Sequence, residues 1–108
     1  MLTRICTLVC LMLLTLASPQ IHAQQNDILL LLGDSLGAGY GVQREQSWSY
    51  LLNERFRQQK KNIQIVNASI SGDTTAGGLS RLEALLQQEK PRWVMIELGG
   101  NDGLRGLP

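Results

Sequence analysis

Short apolar runs alternate along this chain with longer stretches in which apolar residues recur every three or four positions. Asp27–Leu32 reads Asp-Ile-Leu-Leu-Leu-Leu. A run without polar alternation predicts a strand covered on both faces, as in a parallel sheet. It breaks at Gly33 and is followed at once by Asp34 and Ser35. Trp48, Leu51, Leu52 and Phe56 then fall on one helical face, with Asn53, Glu54, Arg57 and Lys61 opposite. That spacing predicts a helix, with Ser47 placed to cap it. Ile63–Ala68 is short and β-branched, a second strand. Leu79, Leu82, Leu85 and Leu86 form the stripe of a second helix, which Asp73, Thr74 or Thr75 opens and Pro91 ends. Trp93–Leu98 is the third strand.

Strand, helix, strand, helix, strand predicts an α/β fold, because right-handed crossovers of this length build a parallel sheet. Three glycine-bearing loops then lie at the carboxyl ends of the strands: Gly33–Gly41, Ser71–Thr75 and Gly99–Gly103. The alternate glycines of Gly37–Gly41 predict no helix or strand there. If the third strand pairs on the far side of the first, the order is 2-1-3 and a crevice opens between strands one and three. Ser35 and Asn101 then face each other across it.

The first 23 residues belong to a different kind of element. Arg4, the apolar run Ile5–Leu16 and the small Ala23 have the layout of a secretory signal peptide. A run of about twelve apolar residues is too short to span a bilayer as a helix, which needs about 20. Residues 1–23 are therefore read as a signal and 24–108 as one domain. The expected location is outside the inner membrane, in the periplasm or the medium, with no stable membrane anchor after cleavage. Cys6, Cys10 and His22 leave with the signal, so the 85 remaining residues contain no thiol and no imidazole. Ten basic residues, nine without Arg4, face nine acidic ones, and that balance points to no nucleic-acid partner. Arg55, Arg57, Lys60 and Lys61 read as the solvated end of a helix. The domain is small, and a small chain buries a smaller share of its surface.

Ser35 is placed as a nucleophile would be, but a serine hydroxyl needs a base oriented by a third group. Acyl transfer also needs N–H donors aimed at the developing oxyanion. Asn101 has a side-chain amide, Gly72 an unobstructed backbone N–H, and Ser35 its own. Taken singly, each has an ordinary reading as a cap or a turn residue. Glu97, inside an apolar strand, either faces the crevice or pairs with a cation such as Arg105. Asp34, Asp73, Glu97 and Asp102 lack the clustered pattern of a cation site, and no metal is expected. Gly37–Gly41 lacks the Gly-Lys-Ser/Thr ending of a phosphate loop, and no cofactor is expected. Leu104 and Leu107 either line an acyl pocket or belong to a plain loop. Asn67-Ala68-Ser69 matches a glycosylation sequon, but it lies at a strand end.

Gly33-Asp34-Ser35-Leu36, Asn67-Ala68-Ser69-Ile70-Ser71-Gly72-Asp73-Thr74 and Gly99-Gly100-Asn101-Asp102-Gly103 resemble the first three sequence blocks of the SGNH, or GDSL, hydrolases. They stand in the family's order, and the likeness is greatest to its exported bacterial thioesterase, lysophospholipase and arylesterase group. The resemblance implies a three-layer, flavodoxin-like fold with five strands in order 2-1-3-4-5, of which the first three are present. It implies Ser35 as nucleophile, Gly72 and Asn101 as oxyanion donors, and Asp34 as local support for the turn. The implied partner is a small acyl ester or thioester. The family's fourth block, Asp-x-x-His, is missing from residues 24–108. The chain thus reads as the N-terminal part of a longer hydrolase, inactive alone and with an uncovered third strand. The alternative is a non-catalytic product that folds partially or binds acyl ligands without turnover.

Overall fold

A computed structural model describes residues 25–108; the segment 1–23 that was read as a signal, with Arg4, Cys6, Cys10 and His22, lies outside the described residues. Three strands, β1 (Asp27–Gly33), β2 (Ile63–Asn67) and β3 (Trp93–Glu97), form a parallel sheet in the order β2-β1-β3. Asp27 stands opposite Ile63 on one side, and Leu29 opposite Trp93 on the other. The expected α/β class and 2-1-3 order are what the chain adopts. Among the described residues four helices accompany the sheet: α1 (Ser35–Ala38), α2 (Trp48–Gln58), α3 (Thr75–Glu89) and α4 (Gly100–Leu104). A 3-10 turn at Arg44–Gln46 leads into α2.

The run of leucines makes β1 the centre of the core. Leu30, Leu31 and Leu32 are buried, with Ile65 of β2 beside them. Successive strand side chains point to opposite faces, so Leu30 and Leu32 need one cover and Leu29 and Leu31 another. The crossover from β1 to β2 and the one from β2 back past β1 to β3 run in opposite directions along the sheet, and with the usual right hand they cover opposite faces. On one face α3 comes so close at Gly78 that a β-carbon there would lie 3.6 Å from Leu32 Cδ2 and against Leu98 Cδ1. On the other, Asn53 of α2 accepts from Ile65 N (2.7 Å) and donates to Ile65 O (3.0 Å), tying helix to strand.

Three local expectations need correction. Ser35–Ala38 and Gly100–Leu104 coil into short helices where loops were expected, and Gly37 sits inside the first. Ser47 occupies the cap position of α2 without capping it, because its hydroxyl donates to Arg44 O (2.7 Å) instead. At α3 the cap is Thr74, whose side chain accepts from Gly77 N (3.1 Å). Its other end closes at Lys90 in the left-handed conformation, one residue before Pro91.

β3 is an edge strand among the described residues, and Trp93, Val94, Met95 and Ile96 are all exposed. A shallow groove between Phe56 of α2 and Trp93 and Met95 of β3 leaves further apolar surface open. No helix of the described residues is long and apolar enough to cross a membrane. Stability therefore depends on β1 far more than on β3. Leu30→Ala is expected to cost about 2–5 kcal/mol, as buried leucines do. Ile96→Ala, at 62% exposure, should cost less than about 1 kcal/mol. Urea unfolding of the two variants checks the contrast, and equal losses would contradict it.

Candidate active site

All three loops at the carboxyl ends of the strands meet, and side chains from neighbouring elements hold each one. The first is the turn from β1 into α1. Asp34, 4% exposed, caps the helix, its Oδ1 accepting from Leu36 N (3.0 Å). Glu97 at the end of β3 accepts from two further amides through Oε2, Asp34 N (3.3 Å) and Gly37 N (3.1 Å). Asn67 at the end of β2 donates to Gly37 O (2.7 Å), and Trp48 of α2 donates through Nε1 to Leu36 O (3.1 Å). Ser35 is the first residue of α1 and half-buried. Among the described residues neither its hydroxyl nor its N–H has a hydrogen-bond partner.

The second loop runs from Asn67 to Thr74. Asn67 Oδ1 accepts from Ser69 N (3.0 Å), and Ile70 N donates to Gly33 O (3.0 Å), seating the loop on the first turn. Asp73 N closes a turn onto Ile70 O (3.1 Å), which puts Gly72 at φ +82°, a conformation that suits glycine. Arg81 of α3 spans this turn. Its guanidinium donates to Ala68 O at one end and pairs with Asp73 Oδ2 (2.8 Å) at the other. Arg105 donates to Gly72 O (2.8 Å). The carbonyl of Gly72 is thus engaged, while its N–H has no acceptor among the described residues.

The third loop brings the other two together. Asn101 Nδ2 donates to Asp73 O (2.9 Å) and, at 3.4 Å, to Asp34 Oδ2. One amide group therefore touches the neighbour of Gly72 and the neighbour of Ser35. The first of these bonds is firm, and the second is long and easily replaced. Next to it Asp102, also buried, accepts from Thr75 Oγ1 (2.6 Å) and Thr75 N (2.9 Å). This carboxylate meets the N-terminus of α3, where negative charge is favourable. The Thr75 hydroxyl, then the Thr75 amide, holds the Asp102 carboxyl below the ordinary aspartate value.

Of the residues singled out in the sequence, Ser35, Asp34, Gly72 and Asn101 are drawn together through these bonds. Leu104 and Leu107 are not enclosed: they are 87% and 47% exposed at the end of α4 and just beyond it. Glu97 turns to the amides of the first loop, and Arg105 goes to Gly72 O, so the suggested pairing of these two is not made. Each of the four carboxylates Asp34, Asp73, Glu97 and Asp102 has its own N–H or O–H donors. No group of three metal-ligating side chains occurs among the described residues. Asn67 and Trp48 were read from sequence as strand end and helix face, and Arg81 was not singled out. In the structure each bonds a loop. Chemically, a free hydroxyl, two unengaged backbone N–H groups and a side-chain amide suit a carbonyl substrate that passes through an oxyanion.

Known proteins resemble this chain in sequence and in fold. Residues 31–108 match the GDSL-like Lipase/Acylhydrolase family. The chain is 55% identical over 86 residues to thioesterase 1/protease 1/lysophospholipase L1 of Escherichia coli, covering 80% of this chain and 40% of that protein. It is 53% identical over 94 residues to esterase TesA of Pseudomonas aeruginosa, covering 87% and 45%. The crystal structure of the psychrotrophic esterase EstA from Pseudoalteromonas, inhibited by monoethylphosphonate, superposes with a TM-score of 0.74 at 51% identity, over 77% of this chain and 45% of that one. The chain thus spans less than half the length of each of these proteins.

The Asp102 contact gives the site an acid limit. A carboxyl whose value is lowered by folding contributes stability above the ordinary aspartate range and loses it as pH falls through the lowered value. Wild type should therefore exceed Asp102→Asn in urea resistance at neutral pH, and the gap should close on acidification. A gap that stays constant down to strongly acidic pH would contradict it.

Proposed function

The chain belongs to the GDSL-like lipase/acylhydrolase family, and on that premise we propose that it carries the nucleophile and oxyanion donors of an exported serine hydrolase. Its substrates are small acyl esters or thioesters. Ser35 Oγ attacks the carbonyl carbon and gives its proton to a base. The tetrahedral oxyanion rests against the N–H groups of Ser35 and Gly72 and the Asn101 side chain. Its collapse breaks the bond to the leaving alcohol or thiol, which takes the proton back. Water then attacks the acyl-Ser35 ester by the same route and frees the acid.

The observation that carries this reading is the position of the Asn101 amide, within hydrogen-bond distance of both Asp73 O and Asp34 Oδ2. It brings the three loops to a single point. The incoming oxyanion takes over the N–H that makes the longer bond to Asp34. Residues 24–108 hold no histidine, so the base comes from the Asp-x-x-His block that the family resemblance implies, outside these residues. Export rests on the signal layout of Arg4, Ile5–Leu16 and Ala23.

Residues 24–108, joined to the C-terminal part of the Escherichia coli relative, should hydrolyse a short-chain aryl ester such as phenyl acetate. Ser35→Ala should abolish that turnover, and Asn101→Ala should lower kcat by about 10²–10³, the usual loss for an oxyanion donor. The 108-residue chain alone should show no hydrolysis that depends on Ser35. Equal rates for the joined enzyme and its Ser35→Ala variant would overturn the reading.

A further inference from the structure

We propose that Glu97 is the positioning residue of the nucleophile turn, leaving the Ser35 amide as its one unoccupied donor; this rests on the reading of Ser35 as nucleophile. The amides at the start of a helix have no partners within it. In the turn Asp34–Gly37, three are engaged from outside the helix ladder. Asp34 N donates to Glu97 O (3.2 Å) and Oε2, Leu36 N to Asp34 Oδ1, and Gly37 N to Glu97 Oε2. Only Ser35 N has no acceptor among the described residues. A four-residue helix cannot fix this pattern by itself, because helix nucleation is unfavourable. One carboxylate oxygen reaching amides on either side of Ser35 can.

Two further observations place the carboxylate where it acts. Glu97 ends a strand whose other residues are Trp93, Val94, Met95 and Ile96, and none of the ion pairs of the described residues involves it. Its charge is met by backbone N–H groups instead, a strong type of hydrogen bond. Gly33, the residue before Asp34, leaves the space: a β-carbon there would lie 2.9 Å from Glu97 Oε2 and 2.9 Å from Ser69 Oγ. The Ser69 hydroxyl is itself buried without a partner. The glycine of the Gly-Asp-Ser-Leu block is thereby explained as room for the side chain that shapes the turn.

The amide protons of the 108-residue chain test this directly. In a pH titration followed by NMR, the Gly37 amide should move with the Glu97 carboxyl carbon. The Leu36 amide, bonded to Asp34, should follow the Asp34 carboxyl and acts as the internal control. A Gly37 amide that ignores the Glu97 titration would overturn the proposal. In the joined enzyme, Glu97→Gln should lower kcat on the order of ten-fold while KM stays within about two-fold, the pattern of an interaction expressed in the transition state. Ser35-dependent turnover with an unchanged kcat in Glu97→Gln would overturn it as well. Turnover indifferent to Ser35→Ala would instead remove the hydrolase reading, with the amide titration still deciding what Glu97 holds.

Discussion

The site rests on the suspension of a four-residue helix that is too short to hold itself. Ser35–Ala38 receives an acceptor from β3 through Glu97 and donors from β2 and α2 through Asn67 and Trp48. Each of these side chains sits where the sheet order puts it. β1 is central, so the ends of β2 and β3 flank its turn on both sides. A different strand order would remove one of the supports. The buried leucines that hold β1 in the middle therefore act on the chemistry as well as on stability, because they fix where the supports begin.

The second and third loops extend the same logic with charge. Arg81 spans the turn around Gly72 from Ala68 to Asp73, and Asp102 anchors the third loop to the start of α3. A guanidinium has several donors in a fixed plane, so it can grip two points of one loop. Both contacts come from α3 or end on it. That helix, through Gly78, is also the one packed against the Leu30 and Leu32 face of β1. The packing of α3 against the core and the placement of the second and third loops therefore share one helix.

Much of this was legible in the sequence because periodicity reports burial. The uninterrupted run Leu29–Leu32, the β-branched Ile63–Val66 and the spacing of Leu82 and Leu85 gave the elements and their order. Leu79 belongs to the same stripe yet is exposed, because one face of a helix is wider than its contact. The helix α1 was illegible, since Glu97 at the Gly37 amide and Asn67 at the Gly37 carbonyl lie 60 and 30 positions away and no local signal records them. Ser47 misled because its hydroxyl turns back to donate to Arg44 O and accepts from no helix amide. Glu97 stood out as a charge in an apolar strand, but sequence suggests cations as its partners and cannot show that backbone amides lie closer. Asn101 was legible only as part of three blocks taken together; alone it is an ordinary turn residue.

A phosphonate ester tests the central claim most directly, because its phosphoryl oxygen imitates the oxyanion. Residues 24–108 joined to the C-terminal part of the Escherichia coli relative, treated with an ethylphosphonate aryl ester, would be followed by mass spectrometry and amide NMR. One ethylphosphonyl group should appear on Ser35, with the Ser35 and Gly72 backbone amides and the Asn101 side-chain amide all shifting together. An adduct on another residue, or an adduct on Ser35 that leaves Gly72 and Asn101 unmoved, would contradict the account.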